Sequence, residues 1–294
     1  MPGESFGSIG LIYRAMHLQD SEIAAGVLSI GVFLALVLLG AARLEPGDRA
    51  RYLLLCAPAI ILAGIFYGTY NKELVVAVVI LVALSRRPRR FDLVVSGAAA
   101  ACGVFFREYW LLIAAMYVGL QIVRGRNVTV RRLVLLVAAG AVVLVLAFNV
   151  VLGVDVDHYR QLVNSGRVGS ADAQTAIGRL YGNTSIPGQV VNYLLSLSAV
   201  LTWFPLVAHG SIFYYAAIAY VVPLNLLMVR RWMTSREGAD RFASVASLWV
   251  SFVFVQATFE PDFGSLLRHS VVFFPVVIAA LMDGRSRARE GSVP

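Results

Sequence analysis

The stretch that decides the fold is residues 133–152, LVLLVAAGAVVLVLAFNVVL, in which Asn149 carries the only polar side chain. Twenty residues of α-helix rise about 30 Å, which is the thickness of the hydrocarbon core of a bilayer. Lipid offers no hydrogen-bond partner to the backbone, so an apolar run of this length is stable there as a helix. The stretch therefore predicts a transmembrane helix.

The rest of the chain repeats this pattern. Hydrophobic residues make up 59% of the 294 residues and charged residues only 14%, whereas soluble domains carry about 25% charged residues. The composition predicts an all-α polytopic integral membrane protein, a single transmembrane domain over residues 1–294 with about nine or ten membrane-crossing helices. The other predicted apolar segments are 23–42, 52–70, 73–85, 93–106, 109–123, 189–208, 211–229, 242–258 and 266–282.

Arginine-rich groups between these segments predict the orientation, because basic loops stay in the cytoplasm. This rule places the C-terminus in the cytoplasm and the N-terminus outside, and it explains the net charge of +8 without nucleic acid. The groups are Arg43, Arg49 and Arg51; Arg86, Arg87, Arg89 and Arg90; Arg124, Arg126, Arg131 and Arg132; Arg230, Arg231, Arg236 and Arg241; and Arg285, Arg287 and Arg289.

Residues 153–188 are then an extracytoplasmic loop, with an amphipathic surface helix predicted over 158–181 and a solvated face near Arg160 and Arg167. An odd number of crossings must join this loop to Arg230, but two apolar segments lie between them. Either 189–208 is re-entrant or lies flat, or part of 158–182 enters the membrane. Nine true crossings plus one irregular segment are favoured, since irregular backbone is tolerated beside a cavity.

Three charged clusters fall on the outer side: Lys72-Glu73, Arg107-Glu108 close to Trp110, and the turn from Glu260 and Asp262 to Arg268-His269. Lys72 is 14 residues from Arg86, a helix of only about 21 Å against a hydrocarbon core of about 30 Å. Charges at such depth rarely face lipid. The clusters therefore predict one polar cavity open to the outside. The competing interpretations are loop charges in a thinned membrane and a structural pairing of Arg268 with Glu260 or Asp262.

The turn Glu260-Pro261-Asp262-Phe263-Gly264-Ser265, followed by Arg268-His269 and an apolar helix, resembles a group of bacterial membrane proteins. They are the Wzy-like and EpsG-like polysaccharide repeat-unit polymerases and related polytopic GT-C-type glycosyltransferases. The turns at Asn71-Lys72-Glu73 and at Phe106-Arg107-Glu108-Tyr109-Trp110 resemble outer turns of the same group. The resemblance covers most of the chain by layout.

The resemblance implies transfer of a polyprenyl-diphosphate-linked glycan to an acceptor hydroxyl at the outer face of a bacterial cytoplasmic membrane. Guanidinium groups suit a diphosphate and a carboxylate or imidazole suits a general base. Arg268 and Arg107 are assigned to the diphosphate with Lys72 in support, and Glu260 or Asp262 is the base, with His269 as the alternative. Glu73, Glu108 and Trp110 complete the expected substrate site. The implied partners are the lipid bilayer, the lipid-linked glycan and other polysaccharide-assembly membrane proteins.

No spacing of Asp, Glu or His predicts a metal, and no cofactor is expected. Ser265 is expected to cap a helix that carries Arg268 and His269 in its first turn, where the helix dipole favours a phosphate. Two other functions stay open. A flippase or transporter for a lipid-linked glycan fits a mixed-charge cavity equally well, and a non-catalytic membrane subunit of a polysaccharide synthase would have these charges in structural roles.

Overall fold

The computed structural model describes residues 4–85, 92–123, 128–167, 175–234 and 242–290, with side chains from residue 8 to residue 283. The described residues are helical and contain no β-strand; a single isolated bridge pairs Ala176 with Asp262. The helices are α1 Glu4–Ala15, α2 Glu22–Ala42, α3 Pro46–Phe66, α4 Glu73–Ser85, α5 Leu93–Phe105, α6 Tyr109–Val123, α7 Val130–Ala147, α8 His158–Ser165, α9 Ile186–Thr202, α10 Ile212–Thr234, α11 Ala243–Phe259, α12 Phe263–Val271 and α13 Phe274–Glu290.

Helix starts follow local capping chemistry. The side chains of Ser21, Asp92, Thr129 and Ser185 each accept a hydrogen bond from a backbone N–H in the first turn of the helix that follows. Such caps satisfy donors that a helix start leaves without an intrahelical partner. They explain why α2, α5, α7 and α9 begin within a few residues of the apolar segments seen in the sequence.

Four of the described helices are long and apolar enough to cross a membrane: Glu22–Ala42, Pro46–Phe66, Ile212–Thr234, and α7 with its π-helical extension, Val130–Leu152. A fifth arises if α12 and the first part of α13, bent by 64°, count as one broken span. The prediction of an all-helical protein with membrane-crossing helices is confirmed to this extent. Five further apolar helices have 10–17 residues: α4, α5, α6, α9 and α11.

The chain forms two compact units. Unit 1 comprises Met1–Gly125, Ser235–Ser251 and Arg268–Pro294, and unit 2 comprises Arg126–Thr234 and Phe252–Leu267. The prediction of a single transmembrane domain stays a prediction. Several basic groups that predict orientation lie outside the described residues or side chains: Arg86, Arg87, Arg89, Arg90, Arg124, Arg126, Arg236, Arg241, Arg285, Arg287 and Arg289.

In unit 1, α2 packs against α3, α4 and α13, while α5 and α6 form a helical hairpin. Small residues allow the close approaches: a Cβ on Gly26 would collide with the carbonyl group of Gly68. The Tyr52 hydroxyl donates to carbonyl groups of Val37 and Pro275, 3.1 and 3.2 Å away, and so ties α3 to its neighbours. The contact at Gly68 lies in the turn between the end of α3 and the start of α4, next to the site described below.

In unit 2, α9 packs against α7 and α10. Trp203, with a left-handed φ of 54°, ends α9, and a 3₁₀ helix, Phe204–His209, follows it. An irregular element therefore stands where the sequence predicts one, in the segment 189–208. Whether this segment spans the membrane or is re-entrant stays a prediction.

Two expectations about local structure are wrong. The surface helix predicted over 158–181 ends at Ser165, and residues 176–185 are not helical. Ser265 does not cap the helix that carries Arg268 and His269. That helix, α12, begins at Phe263, and the Ser265 N–H instead donates to Asp262 Oδ1 at 2.7 Å. Arg268 and His269 are therefore in the last turn of α12, so the helix dipole does not favour a phosphate there.

Candidate functional site

Glu73 opens α4 and is held by the turn before it. Its N–H donates to Asn71 Oδ1 at 2.9 Å, and the Asn71 backbone exchanges two hydrogen bonds with the hydroxyl of Tyr13. These contacts satisfy the polar backbone of a buried turn. They fix the Glu73 carboxylate inside unit 1, where its side chain is 1% exposed.

Arg107 lies in the turn between α5 and α6, and its side chain is 6% exposed. Its Nη2 donates to Glu73 Oε1 at 2.5 Å, and its Nη1 donates to the Tyr109 hydroxyl at 2.6 Å. Burying a carboxylate or a guanidinium alone costs much free energy. Each of these two charges can therefore be buried only because the other lies beside it. Arg107 is thus committed to protein partners through both terminal nitrogens.

His269 and Arg268 approach the same carboxylate from α12. His269 Nε2 lies 3.5 Å from Glu73 Oε1, and the charge of Arg268 also acts on Glu73. The Tyr67 hydroxyl donates to the backbone carbonyl of Arg268 at 3.1 Å and so fixes this end of the helix. The five residues Glu73, Arg107, Tyr109, Arg268 and His269 are called the Glu73 cluster below.

The Glu73 cluster contains polar atoms without partners among the described residues. Glu73 Oε2 and Arg268 Nε are buried and make no hydrogen bond there, and the same holds for Asn71 Nδ2 beside them. Buried polar atoms are nearly always hydrogen-bonded in native proteins, so such a concentration calls for an explanation. A ligand or ordered water that bonds to these atoms supplies one.

The other predicted site residues are placed differently. Lys72 is half-buried, and Glu108 is exposed on the turn beside Arg107. Trp110 is completely buried in unit 1, which leaves no ring face for stacking on a sugar. Glu260 and Asp262 are buried in unit 2, where Asp262 Oδ2 pairs with Arg167 Nη1 at 2.6 Å. The Asp262 carboxylate therefore has an ion-pair and a capping role already.

A second polar group, which the sequence did not single out, organises the loop between α7 and α9 in unit 2. Asp157 accepts hydrogen bonds from Arg179 at 2.6 and 2.9 Å, from Gln161 at 2.6 Å and from Asn192 at 3.1 Å. Arg179 also donates to Asp155 at 2.7 Å, and Gln189 donates to Asp155 at 2.9 Å. This Asp157 network consists of Asp155, Asp157, Gln161, Arg179, Gln189 and Asn192.

The charged groups of the Asp157 network shift the pKa values of Asp157 and Arg179. Burial by itself raises the pKa of the Asp157 carboxyl, but hydrogen bonds from Arg179 and Gln161 and the nearby guanidinium charges outweigh burial, so the pKa lies below its usual range. Hydrogen bonding to Asp157 is the main reason why the pKa of Arg179 is raised. The network is thus an assembly of charged groups that stabilise one another.

Arg160 corrects another expectation, since it is not part of a solvated face. Its side chain is 1% exposed, and its Nη1 donates to the carbonyl of Ala257 at 2.9 Å. Burial lowers the pKa of the guanidinium to about 10 against the opposing charge of Asp157. The spacing of Asp157 and Arg160, three residues apart, was the sequence signal that could have predicted this pair.

No group of three or more Asp, Glu, His or Cys side chains in the described part of the chain could hold a metal ion. Comparison of this chain with models of protein families, with curated proteins and with solved structures gave no significant match. The functional interpretation therefore rests on the geometry of the two polar groups.

Proposed function

We propose that the chain is a membrane-embedded transferase that moves a polyprenyl-diphosphate-linked glycan to an acceptor hydroxyl at the outer membrane face. The observation that carries the proposal is the Glu73 cluster, where His269 Nε2 lies 3.5 Å from Glu73 Oε1 and where Glu73 Oε2 and Arg268 Nε are buried without hydrogen-bond partners among the described residues. Transfer from a diphosphate needs a general base for the acceptor and cations for the leaving group. The cluster offers both kinds of group.

In this proposal His269 is the general base and Glu73 positions it. His269 Nε2 lies 3.5 Å from Glu73 Oε1. In the proposed reaction Nε2–H is directed at this carboxylate, which favours the tautomer in which Nδ1 is unprotonated. The acceptor oxygen attacks the anomeric carbon of the donor sugar, its proton passes to Nδ1, and the bond between that carbon and the diphosphate oxygen breaks. The electron pair leaves with the diphosphate. This assignment replaces Glu260 and Asp262 as the preferred base.

Arg268 is the residue proposed to hold the diphosphate. Its Nε is buried without a hydrogen-bond partner among the described residues, whereas both terminal nitrogens of Arg107 bond to Glu73 and Tyr109. Arg107 is accordingly a positioning residue for Glu73. A guanidinium suits a diphosphate because its planar donors bind two oxygens at once.

The short helices support a site below the outer surface. The helices α4 and α5 have 13 residues each and α6 has 15, so they rise about 20–23 Å against a hydrocarbon core of about 30 Å. We propose that these helices also cross or enter the membrane, to give about nine or ten crossings in all. The N-terminus is then outside and the C-terminus in the cytoplasm of a bacterial cell.

A non-catalytic subunit of a polysaccharide synthase is the second candidate. The Glu73–Arg107 pair favours it, because two nearly unexposed charges that neutralise each other are also what a purely structural core contains. A flippase for the same lipid-linked glycan would also use a mixed-charge site. These three functions make different predictions for Arg268 and His269.

The first experiment measures binding of undecaprenyl diphosphate to the purified chain by native mass spectrometry, with undecaprenol as the uncharged comparison. We expect the diphosphate to bind and undecaprenol to bind weakly. Arg268→Ala and Arg268→Lys should both lose the preference, since an ammonium cannot make the planar two-oxygen contact. The matched control is Arg51→Ala, which removes an exposed arginine at the start of α3 and should change nothing.

The second experiment measures polysaccharide output in cells that lack the gene and carry each variant at equal protein level. The transferase proposal expects His269→Gln to abolish output while binding of undecaprenyl diphosphate is kept. Preserved output with His269→Gln but not with Arg268→Ala would favour a flippase. Full output with both variants, together with no preference for the diphosphate, would favour the non-catalytic subunit.

A further inference from the structure

The helix α8 of unit 2 has three distinct faces. Arg160 and Asn164 point into the protein and are buried and half-buried, respectively. A second face is polar and exposed and consists of His158, Gln161 and Ser165. The third is apolar and also exposed: Tyr159, Leu162 and Val163 are 42%, 54% and 39% exposed.

The spacing explains this arrangement. Residues three and four apart lie on one side of an α-helix, so Tyr159, Leu162 and Val163 form one stripe. A soluble surface helix usually turns such a stripe into the core. In α8 the core-facing side instead carries a buried arginine, bonded to the Ala257 carbonyl, and the apolar stripe stays outside.

The apolar stripe is close to a surface that meets lipid. Five residues separate the end of the helical span Val130–Leu152 from the start of α8, and Val150 and Val151, near the end of the span, are each 78% exposed. The six steps from residue 152 to residue 158 reach at most about 22 Å in extended chain. Gly153 shortens this reach, because its φ of 68° turns the chain at the end of the span. The helix α8 therefore cannot be far from the membrane surface.

Aromatic packing fixes one end of the stripe. The Tyr159 ring stacks on Phe259 at 6.0 Å between centroids and meets the edge of Phe148 at 6.4 Å. Phe148 belongs to the last turn of the same span and is 3% exposed. Tyrosine is enriched at the boundary between lipid and water, where its ring is in an apolar layer and its hydroxyl is wet.

We propose that α8 is an interfacial helix that lies in the outer leaflet of the membrane, with Tyr159, Leu162 and Val163 among the acyl chains and His158, Gln161 and Ser165 in water. The occupant of the apolar stripe is the lipid surface itself, because the stripe lies a few residues beyond the end of the apolar span Val130–Leu152, and both are exposed. An amphipathic helix with this division of faces binds in the plane of the interface. The inference does not depend on the proposed transferase activity.

Spin labels on single introduced cysteines test this placement in vesicles of phosphatidylethanolamine and phosphatidylglycerol. The sites are Leu162→Cys and Val163→Cys on the apolar face, with Gln161→Cys and Ser165→Cys as matched polar-face controls. Val151→Cys provides the lipid reference. Cys56 and Cys102 are buried and stay in place, and labelling of the parent chain measures their background.

Power saturation then compares the accessibility of each label to oxygen, which concentrates in lipid, and to a water-soluble nickel chelate. We expect labels at 162 and 163 to resemble the reference at 151 and to favour oxygen several-fold more than labels at 161 and 165. Equal nickel accessibility at all four sites would overturn the inference in favour of an aqueous surface. Protection of 162 and 163 from both reagents would overturn it in favour of a protein partner or a second copy.

Discussion

The Glu73 cluster and the Asp157 network are both buried groups of charges, but they differ in how fully they are hydrogen-bonded. The Asp157 carboxylate accepts hydrogen bonds from Arg179, Gln161 and Asn192, which occupy both of its oxygens. In the Glu73 cluster, Glu73 Oε2 and Arg268 Nε have no such partner among the described residues. Among the described residues, no buried polar atom of the Asp157 network is without a hydrogen bond, whereas the Glu73 cluster has two such atoms.

The difference separates a structural role from a functional one. A fully bonded network has little to offer a ligand, and its stability comes from bonds already made. An incompletely bonded cluster carries a free-energy cost that binding of a ligand with matching groups relieves. The proposed function therefore belongs to unit 1, and we assign the Asp157 network to the folding of the loop between α7 and α9.

The largest expected effect comes from Arg107→Ala. The substitution leaves the Glu73 charge buried without its partner, which typically costs about 3–5 kcal/mol. The free energy of unfolding should fall by that amount when the chain in mild detergent is titrated with dodecyl sulfate. The double variant Glu73→Gln, Arg107→Gln removes both charges and should recover most of the loss. A double variant as unstable as Arg107→Ala would show that the pair is not the cause.

The second-largest expected effect concerns the Asp157 network. Asp157→Asn keeps the shape but removes the charge that Arg179 contacts through two hydrogen bonds, and hydrogen bonds to charged groups contribute about 1.5–3 kcal/mol. We expect unfolding to become easier by about 2 kcal/mol, with polysaccharide output of the surviving protein unchanged. Loss of output at full protein level would mean that the network has a direct part in function.

Lowering the pH should remove the contribution of the Asp157 charge to the stability of the wild-type chain. The pKa of Asp157 is lowered in the folded protein, so its stabilisation is complete above the unfolded value of 3.8 and is lost as the pH falls through the folded value. Unfolding measured from pH 6 downwards should therefore show a steeper loss of stability for the wild type than for Asp157→Asn. Parallel curves for the two proteins would contradict this assignment.

The sequence predicts the helices better than the site, for physical reasons. Helices that lie in lipid need long apolar segments, which are visible in the sequence. Capping residues such as Asp92 mark where the helices begin. Three predicted site residues, Glu73, Arg107 and His269, meet because the short helices bring their ends to one place. The burial of Trp110 and the bonds of Arg160 depend on which side of a turn faces the protein, and no residue spacing determines that.

The smallest effect concerns Asp262, for which the sequence suggested a base and the structure shows a cap and an ion pair. Because the Arg167 side chain is 40% exposed, Arg167→Ala should cost only about 0.2–1 kcal/mol. Asp262→Ala also removes the cap of α12, which adds about 1 kcal/mol. Asp262→Asn distinguishes the roles, because asparagine caps a helix as well as aspartate but cannot take a proton. We expect polysaccharide output to survive Asp262→Asn at normal protein level, whereas its loss would return the role of general base to Asp262 and take it from His269.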